Sequence, residues 1–405
     1  MTFDMTNCPK IPLPKLLSFI VDNRGKTVPT ADEGHVLIAT NCINNESLYP
    51  VFEKVRHLSD DTYKTWFRAH PQPGDIIFVN KGTPGRVCMV PDPVNFCIAQ
   101  DMIAFRVDSN KVYNKFLFAV LRGREIQTHI YNTNVGDVIP HFKKSFLDQL
   151  LIPLPSMEIQ HKIGDIYFNL SEKVNCNTKI NLHLELIAQA IFKSWFVDFE
   201  PWGGVMPSNW QKGIISDLCS SIFNGGTPRR NEPRFWSDEI PWLTSGEVRQ
   251  AVVTKTENFI SEAGLMGSSA KWVSPLATIV ALYGATAGQV SLVASSLTTN
   301  QAICALIPIE NFAFYNYLSM RNAVGELENR AVGSAQQNIS KAIVEQTSCL
   351  IPCKEIAMDF NNIVKPLFEA WIANLRESIN LAAARDALLP RLMSGELTTS
   401  TTYHN

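Results

Sequence analysis

A chain of 405 residues exceeds what one ordinary hydrophobic core holds and calls for two or three domains. Its 45% hydrophobic and 18% charged content is that of a globular protein, and a net charge of −2 excludes a polybasic, sequence-blind nucleic-acid binder. The nine cysteines are scattered without a CxxC and the eight histidines without an HExxH, which points to reduced thiols rather than a zinc framework, and the first fifteen residues hold no apolar run of secretion-signal length.

In chain order, the first notable stretch is "DNRGKTVP" (Asp22–Pro29). Its Arg24–Thr27 run looks like the tail of a phosphate-binding loop, but Ile20 stands where the leading glycine belongs, so no nucleotide site is assigned. "GDIIFVNKGTPGRVCMV" (Gly74–Val90) reads as two β-rich runs joined by a glycine turn, and "IAQDMIAF" (Ile98–Phe105) as a further strand. "LIPLPSMEIQHKI" (Leu151–Ile163) closes this globular stretch and opens a long helix. There Ile159, Ile163, Ile166, Leu170, Asn177, Ile180, Leu184, Ile187 and Ile191 step by threes and fours apart from one longer step, the spacing of a helix-pairing seam. Lys173 and Asn177 fall near that seam, where a buried Asn that fixes register and a solvated position are equally open readings. The helix should stop at Pro201, Gly203 and Gly204.

The second half repeats this order. "ATIVALYGATAGQVSLV" (Ala277–Val293) matches the earlier hairpin, and "TNQAICAL" (Thr299–Leu306) matches "IAQDMIAF", aligning Gln301 with Gln100. The region from Trp272 to Ile309 carries no charge, yet Gly284, Gly288 and Gln289 interrupt it, so buried strands fit better than a membrane helix. From Leu350, "LIPCKEIAMDFNNI" repeats the Ile-Pro junction and opens a second stripe, Ile356, Phe360, Ile363, Leu367, Trp371, Leu375, Ile379 and Leu389. Pro366 lies within it and should kink that helix or mark a late start. Trp236 and Trp242 read as core rather than stacking platforms, and Gln100 and Gln301 as structural hydrogen bonders.

A whole domain plus its helix is therefore duplicated: residues 1–155 and 201–352 are heads, 156–200 and 353–397 helical regions, and 398–405 a disordered tail. The fold class is α+β, with two β-rich domains each followed by a long helix. A lone apolar stripe needs a partner, and the other copy is the simplest one. The expected pairing is an antiparallel coiled coil through Ile163, Ile166, Leu170, Ile180, Leu184 and Ile187 of one helix and Phe360, Ile363, Leu367, Trp371 and Leu375 of the other. Helices of about forty residues span roughly 60 Å, a rod with a head at either end. No Pro-Pro dipeptide, Glu-x-Lys or G-x-S-x-G occurs, so no catalytic constellation is assigned.

With the duplication established, the motifs resemble one family. "LIPLPSMEIQHKI", "AIFKSWFVDFEP" (Ala190–Pro201) and "LLPRLMSGEL" (Leu388–Leu397) look like the helical signatures of the specificity subunit of type I restriction–modification enzymes. "DNRGKTVP" and "GGTPRRNEPRFW" (Gly225–Trp236) look like the openings of its two target-recognition domains. The resemblance implies a non-catalytic, cytoplasmic DNA reader in a defence system, with one recognition domain per half of a split, asymmetric target. It also implies two methyltransferase subunits docked on the helices, restriction–translocase subunits beyond them, and no membrane. No cofactor is expected in this chain; S-adenosylmethionine, ATP and Mg belong to the partner subunits.

Candidate DNA contacts are the turn residues of the right chemistry: Arg24, Lys26, Asn41, Lys81, Thr83 and Arg86 in the first head, and Thr227, Arg229, Arg230, Arg234, Thr286 and Gln289 in the second. The competing reading is a coiled-coil adaptor whose heads bind protein and never read DNA.

Overall fold

A computed structural model of the chain describes residues 8–23, 27–133, 139–330 and 338–396. The chain divides into two compact units, residues 1–177 with 377–405, and residues 178–376.

In the first unit, strands Leu17–Val21, Met102–Val107, Ile76–Val79 and Val87–Met89 lie in that order in an antiparallel sheet. A second sheet orders Arg56–Leu58, His35–Ile38 and Phe96–Ile98, the last two running parallel. Why the "IIFV" run is unbroken by polar residues follows from its burial on both faces. Alternate side chains point to opposite sides of a strand. Ile76 and Phe78 therefore enter one core, with Phe105, Phe116 and Phe118, while Ile77 and Val79 enter another, with Leu37, Ile98 and Ala104. Burying each such side chain contributes about 1.5–3 kcal/mol.

The second unit repeats the scheme. Cys219–Asn224, Ile303–Pro308, Thr278–Ala281 and Val290–Val293 take the same order, with Val252–Val253 added at the edge. Asn258–Ile260, Ile240–Leu243 and Leu297–Thr299 reproduce the smaller sheet with its one parallel pair, and Trp272–Val273 extends it. Even the ladder irregularity recurs, between Leu17 and Phe19 in one unit and between Cys219 and Ser221 in the other. Val280 and Leu282 face one core, Ile279 and Ala281 the other. Each head is tied off by a two-stranded ribbon, Lys10–Pro12 with Leu151–Pro153 and Gln211–Ile214 with Ser348–Ile351.

Two long helices follow the heads, Met157–Phe196 and Lys354–Met393. Within the first unit the start of the former packs on the end of the latter. Ile163 and Tyr167 share a core with Leu389 and Leu392, and the Arg385 guanidinium lies 5.3 Å from the Tyr167 ring centre. Asn177 donates to Glu377 Oε2 (2.7 Å) and Ser378 Oγ (3.2 Å), and Lys173 pairs with the same carboxylate (3.2 Å). Within the second unit, Asn374 donates to Asn181 Oδ1 (3.0 Å), and Phe192 and Phe196 meet Phe360 with ring centres 6.2 and 4.9 Å apart. Numbers rise along one helix as they fall along the other, so the pairing is antiparallel.

Asn177 is fully buried, which decides the question its spacing left open. Not every seam residue expected from spacing faces inward. Ile163, Phe360 and Trp371 are buried, and Ile166, Leu184, Leu367 and Leu375 pack against the cores. Leu170 is half-buried, whereas Ile180, Ile187 and Ile363 are 41%, 47% and 46% exposed. A straight helix drifts about 20° per heptad relative to a strict seven-residue repeat. Past Asn177 the buried positions are accordingly Asn181, Ala188 and Phe192, one residue beyond those of the extrapolated stripe. Pro366 marks no late start, because the second helix runs unbroken from Lys354. Both Pro366 and Asn362 are exposed, so the carbonyl left without a donor four residues back is solvated.

Candidate nucleic-acid interface

The glycine turns anticipated in each head are built to one pattern. In the first, Gly85 N–H donates to Val79 O (2.9 Å), Arg86 N–H to Thr83 O (3.4 Å) and Val79 N–H to Arg86 O (2.9 Å). In the second, Gly288 N–H donates to Ala281 O (2.9 Å), Gln289 N–H to Thr286 O (2.9 Å) and Ala281 N–H to Gln289 O (3.0 Å). Thr83 thus corresponds to Thr286 and Arg86 to Gln289. Gly82, Gly85, Gly284 and Gly288 have φ of 86°, 90°, 81° and 85°, a region that costs a residue with a Cβ roughly 1–2 kcal/mol.

Around these turns the expected contact residues separate into two groups. Lys81 is exposed and its side chain has no partner among the described residues. The same holds for the guanidinium groups of Arg229 and Arg230. Several others already serve the fold. Asn41 donates to Glu53 O, Arg86 to Ile43 O (3.4 Å) and Thr286 to Ser245 O (2.8 Å). Arg234 pairs with Glu232 (3.4 Å) and lies over the Phe235 ring. Thr83 Oγ1 is buried without a partner among the described residues, and Gln289 is half-buried. Thr227 donates its hydroxyl to Gln301 Oε1, so the second opening motif is tied to one of the two matched glutamines; Gln100 Oε1 finds no such partner among the described residues. Arg24 and Lys26, like the tail at 398–405, lie outside the described residues.

The "GGTP" opening owes its glycines to close packing. A Cβ at Gly225 would lie 2.1 Å from Thr299 O, and one at Gly226 2.3 Å from Ala270 N. Gly226 O in turn accepts from the buried Trp242 indole (2.9 Å), whose ring meets Trp236 edge-on at 5.2 Å. Trp242 is thus core, and Trp236 packs partly exposed against it.

Spacing in the sequence missed two residues that the fold brings to the glycine turns. His141 forms an antiparallel bridge with Lys81, and Asn338 forms the matching bridge with Tyr283. The only signal available was their shared place in the run leading to each Ile-Pro junction.

Chemistry of other kinds finds no support among the described residues. No cluster of three His, Cys, Asp or Glu side chains could hold a metal ion, and no helix is long and apolar enough to cross a membrane. Burial pushes the Cys97, Cys304 and Cys349 thiols up to about 12 and Cys219 to about 11, so they stay protonated and weakly nucleophilic near neutral pH.

Comparison with known proteins agrees with this layout. Residues 28–186 and 207–380 each match the family described as the type I restriction modification DNA specificity domain. The chain is 27% identical over 432 aligned residues to the type I restriction enzyme HindI specificity subunit of Haemophilus influenzae, covering 88% of this chain and 92% of that protein. It is 25% identical to the MjaIX specificity subunit of Methanocaldococcus jannaschii, covering 80% and 78% respectively. Among solved structures, the S subunit of a type I restriction-modification system from M. genitalium superimposes with a TM-score of 0.62 at 14% identity, over 98% of this chain and 97% of that one, which shows a shared fold. Two family matches on two heads of one topology make this chain a member of the type I restriction-modification specificity family.

Proposed function

We propose that this chain is the DNA-reading subunit of a type I restriction–modification complex, with one head reading each half of a split, asymmetric target. The observation that carries the reading is the duplication. Two heads with the same strand order and turn hydrogen bonds present different side chains at corresponding exposed positions, such as Lys81 and Tyr283. Two copies reading the same bases would be expected to keep the same outer chemistry, whereas unlike half-sites require it to differ. On this reading the helices are the spacer that sets the gap, and they are also the platform on which two methyltransferase subunits dock. Adenine-N6 methylation, with S-adenosylmethionine, belongs to those subunits; ATP and Mg belong to restriction–translocase subunits. This chain supplies recognition and no catalytic group.

The test is to co-express the chain with an adenine methyltransferase subunit from the same genome, in a host free of DNA methylation, and to map methyladenine across that host's genome. A single split motif with unlike halves is the expected result. No methylation from a complex shown to assemble and to bind methyl donor would sink the reading in favour of a protein adaptor.

A further inference from the structure

The two bridges beside the glycine turns support a more specific statement, which rests on the reading above. We propose that Lys81 with His141, and Tyr283 with Asn338, are the base-reading edges of the two heads, one edge for each half-site.

Two of the backbone hydrogen bonds beneath these four residues recur between the heads. In the first head Phe142 N–H donates to Asn80 O (2.8 Å), Gly82 N–H to Pro140 O (2.9 Å) and Asn80 N–H to Asp101 O (3.0 Å). In the second, Ile339 N–H donates to Leu282 O (2.8 Å) and Leu282 N–H to Ala302 O (2.8 Å). Phe142 and Ile339, the residues that follow His141 and Asn338, are both fully buried and anchor the bridge from below. A rigid backbone element holds a reading side chain better than a free loop does.

The side chains above that frame are unspent. Lys81 and Asn338 are exposed, Tyr283 is 43% exposed and His141 is half-buried. None of the four makes a side-chain hydrogen bond, ion pair or ring contact with any described residue. Frame and chemistry thus behave oppositely: the hydrogen bonds are kept between copies, while Lys becomes Tyr and His becomes Asn. Positions that only held the fold would need the reverse.

The chemistry also differs in a way that base edges can distinguish. Lys81 offers donors suited to the O6 and N7 acceptors of guanine, with His141 beside it able to donate or accept. Asn338 offers the paired donor and acceptor that match adenine N6 and N7, and Tyr283 adds a hydroxyl and a ring face. The first edge is therefore assigned to a guanine-containing step and the second to an adenine-containing step, in different halves of the target.

The experiment uses the whole complex of this chain with its methyltransferase subunits and a plasmid library randomised at the mapped target. Lys81→Ala and His141→Ala are compared with Asn338→Ala and Tyr283→Phe, with complex assembly and thermal melting checked for each. The expected result is that the first pair relaxes discrimination roughly 10-fold to 100-fold at a guanine in one half only, and that Asn338→Ala does so at an adenine in the other half only. Tyr283→Phe should shift the same half as Asn338→Ala by a smaller factor. An unchanged motif in all four variants overturns the proposal, as does a uniform loss of methylation on every sequence with the motif letters intact. If the unaltered complex itself yields no split motif, the functional reading fails along with it; if only the variants disappoint, that reading stands and this assignment alone falls.

Discussion

The two heads agree inside and disagree outside. Ile76 and Phe78 in one, and Val280 and Leu282 in the other, fill the larger cores from equivalent strands, and the glycine turns beyond those strands share their hydrogen bonds and positive φ values. At and beside those turns Lys81, Arg86 and His141 of one head correspond to Tyr283, Gln289 and Asn338 of the other, with no side chain kept. The duplicated sequence thus keeps what the core and the turn backbone require and varies the side chains that this frame carries.

Substitutions at matched positions of the two heads should have matched effects where the frame is shared and unlike effects where it is not. The largest effect is expected at the core. Phe78→Ala should destabilise the first unit by about 3–5 kcal/mol, because Phe78 is fully buried against Phe105 and Phe142 with ring centres 5.4 and 5.8 Å away. Val280→Ala, smaller but equally enclosed, should cost about 2 kcal/mol, and denaturant unfolding of the full chain would show both. Equal losses would mean that the two cores are not packed alike.

Next come two arginines, each in the last turn of the helix that follows the larger sheet. Arg122 Nη2 donates to the carbonyls of Asn44 (3.3 Å), Ser47 and Val87 (2.9 Å), whereas Arg321 Nη2 pairs with Glu185 (2.9 Å). Arg122→Met leaves several carbonyls without a donor and should cost about 3 kcal/mol. Arg321→Met should cost roughly 1–2 kcal/mol, since Glu185 keeps its bond from Gln189 (3.1 Å). The reverse order in thermal melts would refute this account of their roles.

The turns predict symmetry instead. Gly82→Ala and Gly284→Ala should each lose roughly 1–2 kcal/mol, and a difference of more than about 1 kcal/mol between them would show that the two turns are not equivalent. The smallest effect is expected from the unpartnered surface cations. Removing Arg229 and Arg230 together should weaken DNA binding about equally across sequences and lower the slope of log affinity against log salt by about one for each phosphate no longer neutralised. Fluorescence anisotropy of the assembled complex on target and unrelated DNA across a salt series would measure it.

Much of this architecture was legible in the chain. "IIFV" and "TIVA" announce buried strands, since their apolar runs are uninterrupted but for Thr278 at the start of the second, and the paired glycines announce turns. The helix seam was legible only near the heads. Ile163 and Phe360 lie where spacing put them, but beyond Asn177 the extrapolated stripe drifts outward to Ile180 and Ile187, because spacing does not reveal whether a helix pair coils tightly enough to hold a seven-residue repeat. His141 and Asn338 were illegible for a different reason. Each reaches its turn through a bridge to a residue far away in sequence, and no local pattern records such a pairing.

The two ribbons that tie off the heads carry a consequence for how such a gene changes. Lys10 lies across from Pro153, and Gln211 across from Ile351, so the chain enters and leaves each head on neighbouring strands about 5 Å apart. Entry and exit thus share one narrow stem, while the interior of the first head also rests on its helix, with Tyr113 Oη donating to Asp165 (2.7 Å) and Phe116 and Phe118 sharing a core with Ile163 and Tyr167. Recombination that replaces the interior of a stem keeps the chain path, provided that the incoming head brings the apolar surface that meets the helix. On the proposed reading, one such exchange, with a crossover in each strand of the stem, would replace the reader of one half-site at once, where point mutation would have to rebuild it residue by residue.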